Sequence, residues 1–131
     1  MSNLNEKARA AASRFLQHRG YDILEEGWTS PAGTSDIIAT EGDTLVFVDV
    51  KARRDVDTGF PPEFPTAAER TRREMIALAY LSEHDVAEMS VRFDNIALVV
   101  MGGDRALLRH HVGCLSAEAD MRIPEPLLEA A

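Results

Sequence analysis

The chain has 131 residues, 45% of them hydrophobic, and a formal net charge of -8 at pH 7. This length suits a single domain with one core, and the hydrophobic share is ordinary for a globular protein. No apolar run approaches the roughly 20 residues that cross a bilayer, and the first residues lack the pattern of a signal peptide. The single cysteine, Cys114, excludes an internal disulfide and a cysteine-rich zinc site. We therefore expect a cytoplasmic protein.

Charge is unevenly distributed along the chain. The net negative charge counts against general nucleic-acid binding, which usually accompanies a basic surplus. However, basic residues are concentrated between Arg9 and Arg73, whereas acidic residues are frequent after Cys114. The sequence therefore leaves open a local basic groove on an acidic protein.

The first predicted element is a helix from about Asn5 to Arg19. Its apolar residues recur at the helical spacings of three and four: Ala8, Ala11, Ala12, Phe15 and Leu16. Gly20 suits the position just beyond the helix end. Glu6 falls in the first turn, where the helix dipole favours an anion, so its position alone indicates an ordinary surface residue.

Three strands are predicted next, rich in apolar and β-branched residues: Tyr21–Trp28, Thr34–Ala39 and Thr44–Lys51. A short turn at residues 41–43 makes the second and third strands antiparallel neighbours. Asp36 lies six residues before Gly42 and Asp49 lies seven residues after it. We therefore expect the two carboxylates to approach each other across the ladder.

The third strand carries charges in a run that should be buried. Because side chains alternate along a strand, Asp49 and Lys51 point to the same face, together with Phe47 and Arg53. The opposite face is expected to point into the core and consists of Val46, Val48, Val50 and Ala52. A carboxylate and an ammonium group in such a strand need an interaction that offsets their desolvation.

The segment from Arg53 to Pro65 is predicted to be irregular, because Gly59, Pro61 and Pro62 interrupt it. A loop at this place could close over a substrate or could be a simple connection. The sequence favours neither alternative.

A second helix is predicted from about Thr66, a suitable N-cap, to Glu83. Its apolar side is expected to consist of Met75, Leu78, Ala79 and Leu81. Three arginines near its start oppose the helix dipole and therefore do not serve helix stability: Arg70, Arg72 and Arg73. They either pair with nearby glutamates on a solvated helix face or contact phosphates.

Two late strands are predicted, Val91–Met101 and Ala106–Val112. His110 and His111 are adjacent and face opposite ways, so they cannot jointly bind one metal, and we expect both at the surface. The remaining chain is acidic and interrupted by prolines. We therefore expect a single domain over residues 1–115 and a loosely attached acidic tail over 116–131, with one helical turn.

The two carboxylates and the lysine suggest a metal site. Magnesium prefers oxygen ligands and keeps several waters, so Asp36, Asp49 and the backbone carbonyl of Val50 are candidate ligands. Lys51 would orient an attacking water or offset charge in the transition state of phosphodiester hydrolysis. The alternative is an ion pair of Lys51 with either aspartate at a sheet edge.

Four segments carry a resemblance to a known family: Asn5–Tyr21, with Glu6 near its start and Gly20 near its end, Gly33–Ile38, Phe47–Arg53 and Arg92–Asp94. With an acid in the second strand and Asp-x-Lys in the third, the chain resembles the PD-(D/E)xK nuclease superfamily. More narrowly, it resembles the YraN-like family of small bacterial proteins, which is similar to archaeal Holliday-junction resolvases. The resemblance implies an α/β restriction-endonuclease-like fold, a mixed sheet of about five strands flanked by helices in the order αβββαββ.

The resemblance also implies roles for individual residues. Asp36, Asp49 and Lys51 would be catalytic in a Mg²⁺- or Mn²⁺-dependent endonuclease, with Glu6 as an accessory ligand of metal or water. The implied partner is nucleic acid, namely DNA, with branched or damaged DNA as one candidate substrate. The implied phosphate contacts are Arg53, Arg70, Arg72 and Arg92. For Arg92, pairing with Asp94 is the structural alternative.

The chain departs from the family pattern at several positions. Thr34 stands where the family has Glu, Asn5 where it has Gly, and Asp49 where it has the longer Glu. The family's lysine in the second helix has no clear match, and Glu69 or Arg70 lies nearest. These departures keep two alternatives open: a catalytically inactive nucleic-acid-binding module that retains the fold, and an adaptor that docks proteins through the sheet edge or the tail. Whether the chain forms a homodimer is also open.

Overall fold

The computed structural model describes residues 4–54, 59–62, 65–84, 89–102, 105–115 and the backbone of 120–122. The first half of the chain forms a helix and three strands: α1 (Leu4–His18), β1 (Asp22–Ser30), β2 (Gly33–Glu41) and β3 (Thr44–Arg53). The second half forms a helix and three further strands: α2 (Ala67–Glu83), β4 (Ser90–Met101), β5 (Arg105–His111) and β6 (Asp120–Arg122). The predicted order αβββαββ is confirmed, and β6 is added to it.

The strands form one mixed sheet in the order β1-β2-β3-β4-β5. All neighbouring pairs are antiparallel except β3 and β4, which are parallel. A parallel pair needs a crossover connection, and α2 supplies it. β6 pairs with the first residues of β4, so residues 120–122 of the tail form a strand. The rest of the tail lies outside the described residues.

Each face of the sheet packs against one helix. On the α1 face, Ala12 and Leu16 pack in one cluster with Val46 and Val48. On the α2 face, Tyr80 packs in a second cluster with Phe47 and Phe93, among others. The alternation predicted for β3 is therefore confirmed, and it directs Asp49 and Lys51 toward α2. No helix in the described parts of the chain is both long and apolar enough to cross a membrane.

The apolar side predicted for α2 is wrong for Met75 and Leu78, whereas Leu81 packs against the core cluster as expected. Its buried stripe consists of Arg73, Ile76, Ala77 and Tyr80, whereas Met75 is 51% exposed and Leu78 is 47% exposed. The buried residues follow the spacing i, i+3, i+4, i+7, but one of them is an arginine. Because every residue from 75 to 81 is apolar, the apolar pattern alone does not select the buried side of the helix.

Thr66 and Glu69 cap the start of α2 reciprocally. The Glu69 amide donates to the Thr66 hydroxyl at 3.1 Å, and the Thr66 amide donates to Glu69 Oε1 at 3.2 Å. We expect Thr66→Ala to lower the free energy of unfolding by about 1 kcal/mol, because one helix amide loses its acceptor. Urea denaturation measures the change, with the exposed mid-helix Thr71→Ala as the control. Equal effects of the two substitutions would contradict the assignment.

The expectation that His110 is a surface residue is also wrong. Its side chain is 6% exposed, and Nε2 lies 2.8 Å from Asp94 Oδ2. The ring also makes edge contacts with Phe15 and Tyr21 at 5.9 Å. His110 lies on the α1 face because β5 pairs Ile96, a residue of that face, with His110. His111, the next residue along the strand, is partly exposed.

The connection between β3 and α2 is described only in part. Pro61 is buried, and the guanidinium of Arg109 lies 4.4 Å from the centre of the Phe60 ring. Residues 59–62 are thus held near β5. Residues 55–58 and 63–64, on which a cover for the site would depend, lie outside the described residues.

Candidate active site

The candidate site begins where the ladder between β2 and β3 ends. The last paired residues are Ile37 and Val48, and the same register places Asp36 opposite Asp49. At this point the Asp36 side chain replaces a backbone acceptor, because the Val50 amide donates to Asp36 Oδ2 at 2.8 Å. The two carboxylates therefore lie at the split between two strands.

Burial and charge act together on Asp36. Removal from water raises the pKa of Asp36 above its ordinary value, and the nearby charge of Asp49 raises it further. The hydrogen bond from Val50 and the charge of Arg9 act in the opposite direction but do not cancel the increase. The two carboxylates thus lie close enough for the charge of Asp49 to act on Asp36, and a cation between them would relieve this repulsion.

Arg9 reaches Asp36 from α1 across the backbone of β1. Its Nη2 lies 3.6 Å from Asp36 Oδ1, and its Nη1 lies 2.8 Å from the place that a Cβ on Gly27 would occupy. Gly27 also has a φ of 66°, so both the approach and the backbone conformation favour glycine there. The buried Nε of Arg9 has no hydrogen-bond partner among the described residues.

Asp49 is held by two arginines of α2. Its Oδ2 lies 3.3 Å from Nε of Arg73 and 3.5 Å from Nη2 of Arg72. The Asp49 side chain is 15% exposed and that of Arg73 is 4% exposed, whereas Arg72 is 38% exposed. Arg73 therefore forms the inner wall of the site and Arg72 its outer wall.

Arg73 is fixed from several sides by hydrogen bonds. It donates to the Asn95 side chain at 2.8 Å, to Cys114 Sγ at 3.2 Å, and to two backbone carbonyls, those of Asp94 at 2.8 Å and Phe47 at 3.0 Å. Its charged group also lies 5.5 Å from the centre of the Phe93 ring. These contacts connect α2 to β3 and β4. They also hold the guanidinium of Arg73 in place beside Asp49.

Lys51 is held by the cap of α2. Its Nζ donates to Glu69 Oε2 at 3.3 Å, while the other Glu69 oxygen accepts the Thr66 amide. The Thr66 amide is the main cause that lowers the pKa of Glu69; burial opposes this and Lys51 adds to it. The capping box thus fixes Glu69, and Glu69 fixes Lys51.

The remaining residues singled out in the sequence lie in different places. Glu6 and Arg70 are exposed on α1 and α2, and Arg53 ends β3. Arg92 is only 13% exposed: it donates to Asp94 at 2.9 and 3.0 Å, and to Glu41 and Tyr21 as well. Arg92 thus pairs with Asp94, which was the alternative to a phosphate contact.

Sequence reasoning did not assign Arg9, Glu69 and Arg73 to the site. The signal for Glu69 is the Thr-x-x-Glu spacing of a capping box, which begins at Thr66. Arg73 could be found from its position, because it completes the helical period of Ile76, Ala77 and Tyr80. We find no comparable signal for Arg9.

The chemistry of the site fits a hard cation. Magnesium is commonly bound by one or two carboxylates together with waters and substrate phosphates, and Asp36, Asp49 and the Val50 carbonyl provide such a set of oxygens. Within the described ranges, no three side chains of His, Cys, Asp or Glu are grouped around a common point. The set is therefore suited to a partly hydrated ion and unsuited to an ion enclosed by protein ligands.

Comparison with known proteins places the chain in a family. The model of the uncharacterised protein family UPF0102 matches residues 8–98. A UPF0102 protein of Rhodococcus opacus is 37% identical over 99 residues, covering 76% of this chain and 84% of its relative. A UPF0102 protein of Dictyoglomus thermophilum is 38% identical and covers 71% of this chain and 79% of its own length. A UPF0102 protein of Roseiflexus castenholzii is also 38% identical and covers 76% of this chain and 81% of its own length. The chain belongs to the uncharacterised protein family UPF0102, the YraN-like family that its motifs resemble.

Proposed function

We propose that this protein binds nucleic acid and hydrolyses DNA phosphodiesters with Mg²⁺ or Mn²⁺ held by Asp36, Asp49 and the Val50 carbonyl. The observation that supports it is the meeting of two mutually repelling carboxylates at the split between β2 and β3, with Lys51 two residues further along. When bound, the cation would lower the pKa of a water and offset charge on the phosphate.

The side chains around the carboxylates have consistent tasks in this proposal. Lys51, held at 3.3 Å by Glu69, orients the attacking water and offsets the charge that develops on the phosphate. Arg72, the more exposed partner of Asp49, is the arginine best placed to turn to a phosphate. The Nε of Arg9, which lacks an acceptor among the described residues, is a further donor for a phosphate oxygen.

A second candidate function, binding without cleavage, is favoured by the ion pairs. Asp49 has two arginine partners and Lys51 has Glu69, so a cation has to compete with charges that the fold already supplies. Thr34, at the position of the family's Glu, contacts the hydroxyl of Thr29 at 3.1 Å and cannot supply a carboxylate. Ion pairs of this kind are expected where the charged residues stabilise the fold and take no part in catalysis.

Cleavage assays test the proposed function. We expect the parent protein to cut plasmid, single-stranded or branched DNA with Mn²⁺ and to lose this activity with a chelator. Asp49→Asn and Lys51→Ala should each lower the rate by about 100-fold or more, since each removes a charge used in the transition state. The matched control is Asp43→Asn, which removes an exposed carboxylate in the β2–β3 turn.

The same assays decide between the two candidates. If the parent protein cuts none of these substrates with Mn²⁺ but binds DNA equally well with and without chelator, the site is not hydrolytic and the second candidate stands. If chelator abolishes tight binding, the second candidate fails, because it predicts binding that depends on salt and not on metal.

A further inference from the structure

A groove with basic walls lies on the α1 face, outside the candidate active site. It has a volume of about 490 Å³ and lies between α1 and the final residues of β4 with the first residues of β5. Its floor is apolar and is formed mainly by Leu98, Val100, Met101 and small alanine side chains. The volume is within the range of about 300–1,000 Å³ that is typical of ligand sites.

Four cationic side chains line this groove: Lys7, Arg14, Arg54 and Arg105. All four are exposed, and no carboxylate is among the described residues that line the groove. On a chain with a net charge of -8, such a concentration of positive charge is a local exception. Charge complementarity therefore indicates an anionic ligand.

The backbone positions that carry the four cations are spread along the groove. Lys7 and Arg14 are seven residues apart in α1, which corresponds to about 10 Å. Arg53 is paired with Val99 and Arg105 with Met101, so Arg54 and Arg105 flank the end of β4 on its two sides. Two strand spacings separate them, again about 10 Å.

This spacing indicates a ligand with several phosphates. The oxygens of one phosphate accept hydrogen bonds at about 3 Å, so one phosphate does not serve four cations whose backbone positions are spread along both walls of the groove. A strand of nucleic acid offers successive phosphates to such cations. Its unpaired bases and sugars can also cover the apolar floor, as bases do on apolar side chains in single-strand-binding proteins.

We infer that the groove binds a single-stranded segment of nucleic acid, with phosphates at Lys7, Arg14, Arg54 and Arg105 and bases on the floor at Leu98 and Val100. The choice of nucleic acid among polyanions rests on the proposed function. The groove and the carboxylates lie on opposite faces of the sheet but at the same end of β3. A strand bound in the groove would thus reach the end of β3 toward which the proposed cleavage site also lies.

Fluorescence anisotropy with labelled oligothymidylate, in chelator and over a series of salt concentrations, tests the inference. Arg14→Gln and Arg105→Gln, singly and together, should each weaken binding several-fold and lower the salt slope by about 0.7 per removed cation. The matched control is Arg19→Gln, an exposed arginine just beyond the end of α1 and outside the groove. It should leave affinity and slope unchanged. An abasic oligomer of equal length should bind more weakly than oligothymidylate, because the floor loses its contacts.

Each result has a definite meaning. The inference is wrong if the groove variants bind like the parent while Arg19→Gln does not. It is also wrong if a duplex binds as tightly as the single strand with the same dependence on Arg14 and Arg105. Equal competition by inorganic polyphosphate and oligothymidylate would also reject a site for nucleic acid. Groove-dependent binding in a protein that never cuts DNA would overturn only the proposed function. Cleavage that is independent of the groove would overturn only this inference.

Discussion

Replacement of Arg73 by alanine is expected to lower the free energy of unfolding by about 3–5 kcal/mol, because it breaks a buried charge pair by removing one partner. Arg73 is 4% exposed and lies 3.3 Å from Asp49. Without it, Asp49 remains mostly buried beside Arg72 alone. The side chain of Asn95 and the carbonyls of Phe47 and Asp94 also lose a charged donor.

The measurement is urea or thermal unfolding of the purified variant. Arg70→Ala, three residues earlier on the exposed side of α2, is the matched control and should change the free energy of unfolding by less than about 0.5 kcal/mol. Arg73→Lys should recover only part of the loss, because a lysine cannot reproduce the planar set of donors. A loss below about 1 kcal/mol for Arg73→Ala would show that the pair is not important for stability.

Arg73 also illustrates why the site was only partly predictable. Local rules apply to β3: alternation assigned Asp49 and Lys51 to one face, and counting from the Gly42 turn placed Asp36 near Asp49. Both inferences need only the two-residue alternation of side chains along a strand and the position of one turn. The partners of these residues come from α2 and α1, and their approach depends on how helices pack on the sheet, which no local period determines.

Arg73 and His110 show what the sequence could not reveal. Arg73 was left open between a solvated helix face and a phosphate contact, and His110 was expected at the surface, where polar residues are common. In the structure, each is buried because it meets a carboxylate in the interior, Asp49 for Arg73 and Asp94 for His110. Buried polar residues need such partners, and the sequence does not reveal which partners will be adjacent. The capped start of α2 was predictable, since Thr66 and Glu69 are three residues apart.

Asp94→Asn is the second substitution with a large expected effect, a loss of about 3–5 kcal/mol at neutral pH. The Asp94 side chain is 0% exposed. It accepts hydrogen bonds from Arg92 at 2.9 and 3.0 Å and from the Gly113 amide at 3.0 Å, and His110 lies 2.8 Å away. These contacts join β4 to β5 and to the segment after it. Without the carboxylate charge, Arg92 would keep Glu41 as its acidic partner, and Glu41 is largely exposed.

The pH dependence of this loss gives an independent test. Burial alone would raise the pKa of Asp94, but hydrogen bonds from His110, Arg92 and Gly113 outweigh it, so that the pKa lies below its ordinary value. The unfolded chain, with an aspartate pKa of about 3.9, therefore binds more protons than the folded chain at pH values between the two. The stabilisation by Asp94 is fully present above about pH 5 and is lost as the pH falls through the folded pKa.

The difference in unfolding free energy between the parent and Asp94→Asn should therefore be largest near neutral pH and should shrink below about pH 4. Urea unfolding at a series of pH values measures it, with Asp43→Asn in the exposed turn as the control. The other ionisable groups near Asp94, namely Tyr21, Glu41 and His110, are present in both proteins. A difference that grows as the pH falls would mean that burial dominates and that the carboxylate is destabilised in the folded protein.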